Sequence, residues 1–92
     1  MAVVNGNIVE SVRCLTAICT EEMNTESERL SAAETIANIP GVFSSEIFLL
    51  ESEVKKVRET VLKIQCDPMT TTKGKIKAAQ ISIKIETLIL NK

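Results

Sequence analysis

The side chains best suited to covalent or metal chemistry are three thiols, Cys14, Cys19 and Cys66, in a 92-residue chain that contains no histidine. Without imidazole the chain lacks the commonest general base and the commonest metal ligand, so a cysteine nucleophile would have no usual activator. Cys14 and Cys19 are five positions apart, which places them on somewhat different faces of a helix, and Cys66 is remote from both. No CxxC pair suggests zinc or redox work. Cys14 and Cys19 therefore read as small buried hydrophobes, whereas Cys66 sits beside Asp67-Pro68, where a neighbouring carboxylate disfavours the thiolate.

The carboxylates Glu21, Glu22, Glu26 and Glu28 cluster around a helix boundary, where acids serve the positive end of the helix dipole more often than a cation. Gly6, Gly41 and Gly74 are isolated, so no phosphate-cradling loop is formed. Thr70, Thr71 and Thr72 are possible phosphate acceptors, but their place in a loop before a helix suits capping better. Together these exclusions predict a protein that is not an enzyme and that carries no metal and no cofactor.

The elements that hold these residues follow from apolar spacing. Asn5-Gly6 favours a turn, Asn7 can cap, and Ile8, Val12, Leu15, Ile18 and Cys19 then recur at helical intervals, giving a first helix over about residues 7 to 23. Thr25-Glu26-Ser27-Glu28 is a capping box that opens a second helix carrying Leu30, Ala33, Ile36 and Ala37. Pro40 and Gly41 stop that helix near Asn38. Ser44 or Ser45 can start a third helix, which holds the clearest signal in the chain. Ile47, Leu50, Val54, Val57, Val61 and Ile64 alternate in steps of three and four, a heptad-like seam that ends before Asp67-Pro68.

The last segment, residues 75 to 90, has two readings. Ala78, Ile81, Ile85 and Leu88 make an apolar helical stripe opposite a polar one, while Ile81, Ile83 and Ile85 alternate with Ser82, Lys84 and Glu86 as in a β-strand. Helix is preferred, because the only other β-like stretch, Ala2 to Val4, is a short partner for a strand. The expected fold is all-α, a small antiparallel three- or four-helix bundle forming a single domain over residues 1–92, with residues 75–90 as its possible β element. No internal repeat is apparent by inspection of the sequence.

Charge is split along the chain. Residues 1–54 hold nine acids and two bases, a balance of −7, and residues 55–92 hold nine bases and three acids, a balance of +6, which together give the net −1. One reading sets the acidic helices beside the basic ones within the bundle. Another makes Lys55, Lys56, Arg58, Lys73, Lys75, Lys77 and Lys84 a basic face for an acidic protein partner or, as the alternative function, for nucleic acid. A pI near 5.5 and the lack of Trp and Tyr for base stacking weigh against nucleic acid.

The apolar residues exceed what one small bundle is expected to hide, since Phe48, Leu49 and Leu62 lie outside the seam and Ile76, Ile83, Ile89 and Leu90 outside the last stripe. The sequence therefore predicts a non-catalytic protein–protein interaction module, an adaptor, assembly or regulatory subunit. Its partner is a protein or a second copy, with no membrane and no small-molecule substrate evident. The expected interface comprises Ile47, Phe48, Leu50, Val54, Val57, Val61, Leu62, Ile64, Ile85, Leu88 and Ile89. No apolar run approaches the roughly 20 residues of a membrane span, and the start lacks a basic leader region, so an intracellular, cytoplasmic location is the expectation.

Overall fold

The structure is a computed structural model that describes residues 6–39 and 51–90, with side chains over 9–39 and 52–88. It contains four helices, α1 (Gly6–Thr20), α2 (Glu26–Ala37), α3 (Glu51–Cys66) and α4 (Thr72–Leu90), and no strand among the described residues. The expected all-α bundle is what forms. Residues 75–90 are helical because Ala78, Ile81 and Ile85 are the positions that become buried, a spacing of three and four that a strand cannot satisfy. Ile83, which completes the β-like alternation in the sequence, stays 67% exposed.

The second helix starts as its sequence dictates. The Thr25 hydroxyl accepts from the Glu28 backbone N–H at 3.1 Å, and the Glu28 carboxylate accepts from the Thr25 backbone N–H at 2.9 Å. Two backbone donors that a helix start leaves unpaired are thereby satisfied reciprocally. The first helix ends at Thr20, short of residue 23, and is held there from outside: Asn24 Nδ2 donates to Ile18 O at 3.0 Å and Arg29 Nε to Cys19 O at 2.8 Å.

Consecutive helices run antiparallel in two hairpins, α1–α2 and α3–α4, each closed by a five-residue turn, 21–25 and 67–71. The hairpins then stack so that like-directed helices lie side by side, α1 against α3 and α2 against α4, while α2 also crosses to α3. The direction of α2 and α4 is fixed by three contacts in order along both: Glu26 with Thr71, Glu34 with Lys77, and Asn38 with Lys84. Between the hairpins lies one aliphatic core that includes Cys19, Leu30, Ile36, Val57, Val61 and Ile85.

The two hairpins repeat one structure at a spacing of 46 residues, which corrects the reading that the chain has no internal repeat. Asn24 Nδ2 to Ile18 O in the first turn corresponds to Thr70 Oγ1 to Ile64 O in the second. Met23 N–H to the Glu21 carboxylate corresponds to Met69 N–H to the Asp67 carboxylate, and Glu28 N–H to Thr25 Oγ1 corresponds to Gly74 N–H to Thr71 Oγ1. At the same spacing the sequence pairs Ile18 with Ile64, Met23 with Met69, Thr25 with Thr71, Ala32 with Ala78, Ala33 with Ala79 and Ile39 with Ile85. Identity survives where turn geometry or close helix packing demands it, and little else is shared.

Candidate functional site

A hairpin in a stack needs an apolar inner surface towards its neighbour, and a surface that no neighbour covers is ordinarily polar. The second hairpin departs from the latter pattern. Its exposed large hydrophobic side chains Leu62, Ile76 and Ile83 are 38%, 57% and 67% exposed. Their counterparts 46 residues earlier, Thr16, Leu30 and Ala37, are only 6%, 3% and 3% exposed, and Leu30 and Ala37 belong to the core shared with the second hairpin. The outer face of the second hairpin thus carries the pattern of an inner face, left exposed among the described residues. Met69 and its counterpart Met23, each in the turn of its hairpin, are 87% and 89% exposed.

The residues expected at an interface divide differently. Val54, Val57, Val61, Ile64 and Ile85 are between 0% and 7% exposed, so the heptad-like seam is the core of the chain and offers a partner no surface. The reason is that both α1 and α4 flank α3 and close over its narrow stripe. Leu88 is half-buried, and Leu62 is the exposed member of the set among the described side chains. Ile47, Phe48 and Leu50 lie outside the described residues, as does the Ile89 side chain. Ile76 and Ile83, read from the sequence as surplus apolar positions, are the more exposed part of the face. The 46-residue correspondence marks them through Leu30 and Ala37.

Part of the basic set is already paired within the chain. Lys77 Nζ meets the Glu34 carboxylate at 2.5 Å, Lys84 donates to Asn38 Oδ1, and Arg58 Nε meets the Glu86 carboxylate at 2.5 Å. Three of the seven are thereby engaged within the chain, two of them across the hairpin contact. Lys55, Lys56, Lys73 and Lys75 are exposed, but they are divided between α3 and α4. Acidic α2 beside basic α4 is the arrangement found, so part of the charge split serves internal pairing.

The thiols are similarly separated. Cys14 is exposed rather than buried, because its place on α1 faces away from the core that takes Val12, Thr16 and Cys19. Burial pushes the Cys19 thiol up to about 11, with the nearby Arg29 charge acting weakly in the opposite direction. Cys66 is free and exposed. Among the described residues no three Cys, Asp or Glu side chains converge as a metal site, and no helix is long and apolar enough to cross a membrane. An open groove between α2 and α4 is lined by Glu26, Leu30, Glu34, Lys73, Ile76 and Lys77, so Ile76 borders this groove as well as the outer face, and Glu26 and Glu34 are already committed to Thr71 and Lys77.

Comparison with known protein families, with curated proteins and with solved structures finds no match.

Proposed function

We propose that this chain is a non-catalytic protein–protein interaction module, an adaptor or assembly subunit, whose docking surface is the outer face of the second hairpin. One observation carries the reading: Leu62, Ile76 and Ile83 are exposed at positions whose counterparts in the first hairpin are buried. Exposed apolar residues presented on helices beside charged ones are the ordinary anatomy of a protein interface. The location that goes with this function is intracellular.

The test is site-specific photocrosslinking in the producing cell, with a benzophenone side chain introduced at position 76 or 83 and, as a control, at exposed Glu22. Discrete protein adducts from positions 76 and 83, and none from 22, are the expected result. Absence of adducts at 76 and 83, or crosslinks to nucleic acid instead, would sink the reading. The second outcome would favour the dispersed lysines as a phosphate-binding surface.

A further inference from the structure

We infer that the outer face of the second hairpin receives the outer face of the first hairpin from a second copy of this chain, so that copies stack head to tail. This rests on the docking surface proposed above and names its occupant. The contact inside the chain already shows what such a joint requires. One side supplies an inner face of the first-hairpin type, including Thr16, Leu30 and Ala37, and the other an inner face of the second-hairpin type, including Val61, Ile64, Ala78 and Ile85.

Both types recur at opposite ends of the stack. The second hairpin's outer face repeats the first type through Leu62, Ile76 and Ile83. The first hairpin repeats the second type through Leu15, Ile18, Ala32 and Ile39, which stand 46 residues before Val61, Ile64, Ala78 and Ile85. Of these, Ala32 is buried in the chain's own core, and Leu15, Ile18 and Ile39 pack against that core while keeping part of their surface exposed. The two ends are therefore complementary to each other and not each to itself.

Charge selects the same arrangement. The first hairpin, residues 6–37, holds six acids and two bases, a balance of −4, and the second, residues 51–90, holds eight bases and five acids, a balance of +3, so a head-to-tail joint brings an acidic hairpin onto a basic one. A symmetric joint between two second hairpins would set basic against basic. A heterologous contact of this kind does not use up its own surfaces, and it continues into a ring or an open array.

The experiment uses the full chain and two end-blocking variants, followed by sedimentation velocity from low to high micromolar concentration. Thr35→Arg places bulk and positive charge on the outer face of the first hairpin, where Thr35 is exposed and bonds only to Ser31 O of its own helix. Ile83→Glu places charge on the outer face of the second. Both positions are solvent-exposed, so the helical circular-dichroism spectrum should stay unchanged in each variant.

Wild type is expected to grow beyond a dimer with concentration. Each variant alone should associate at least about tenfold more weakly. An equimolar mixture of the two should form a heterodimer and stop there, because each contributes its one intact end. A wild type that is monomeric throughout, or a Thr35→Arg variant that still dimerises, overturns the head-to-tail joint. If crosslinking at 76 and 83 meanwhile captures a different protein, the docking face stands and only the occupant is wrong. If it captures nothing, both readings fall.

Discussion

The Thr71 hydroxyl donates to the Glu26 carboxylate at 2.8 Å, and the Thr71 backbone N–H reaches the same carboxylate at 3.2 Å, although 45 residues separate the two in sequence. This completes at the start of α4 the reciprocal cap that Thr25 and Glu28 complete locally at the start of α2. The third helical residue of α4 is Gly74, which has no carboxylate to offer, and a Cβ at that position would run into the Glu26 carboxylate. Glu26 thus supplies the missing half of the capping box from the neighbouring hairpin.

Glu26→Ala is accordingly expected to cost about 1 kcal/mol, the usual worth of a helix cap. Gly74→Glu alone should recover little, because its side chain competes with Glu26 for the same space. The double variant Glu26→Ala/Gly74→Glu moves the box into α4 itself and should regain most of the loss. Urea unfolding of the four proteins checks this as a thermodynamic cycle, and additive effects of the two substitutions would contradict it.

At the start of α2 the same chemistry predicts a pH dependence. Hydrogen bonds from the Thr25 backbone N–H, and then from its hydroxyl, hold the Glu28 carboxyl below its ordinary value of 4.5. A carboxyl whose folded value is lowered contributes stability above its unfolded value and loses it as pH falls through the folded one. Wild type should therefore be more stable than Glu28→Gln at neutral pH. The gap should close on acidification below the ordinary carboxylate range, which thermal melts across that range would detect.

The cysteines predict both a reactivity pattern and an alkaline effect. Exposed Cys14 and Cys66 should react promptly with a disulfide reagent at neutral pH, while Cys19, fully buried, should react only as the protein opens. Because the Cys19 thiol is pushed from 9.0 up to about 11, its unfolded form loses a proton before its folded form does. The corresponding stability is complete below pH 9.0 and declines as pH rises towards about 11. Cys19→Ala should lack this slope in alkaline urea titrations, whatever its absolute stability.

Much of the architecture was legible because it depends on local rules. The Thr25 box, the stop before Pro40, the Asp67-Pro68 boundary and the seam from Val54 to Ile64 are all set by residues within a few positions of one another. What escaped depends on distant pairs. Gly74 looks like an isolated glycine until the Glu26 carboxylate is placed beside it. The repeat is obscured because exposed and buried faces exchange roles between hairpins, so that Val12 corresponds to Arg58 and Ile36 to Ser82. For the same reason the seam suggested a surface for partners, when α1 and α4 in fact enclose it and the available apolar face belongs to Leu62, Ile76 and Ile83.

The exchange of roles also locates a site where the core is not optimal. Thr16 is 6% exposed, yet its Oγ1 has no hydrogen-bond partner among the described residues. A buried hydroxyl without a partner carries a desolvation penalty of roughly 1 to 3 kcal/mol. Its counterpart in the second hairpin is Leu62, so nothing in the repeated geometry calls for a hydroxyl. Thr16→Val keeps the branched shape and removes the unpaired oxygen. The substitution should stabilise the fold by about 1 kcal/mol, which for a domain of this size raises the melting temperature by roughly 4 to 8 °C. Thr16→Ser retains the hydroxyl and loses a buried methyl, so it should destabilise. Calorimetry on the two variants separates the polar term from the packing term, and a Thr16→Val protein that melts below wild type would mean that the hydroxyl is satisfied in solution.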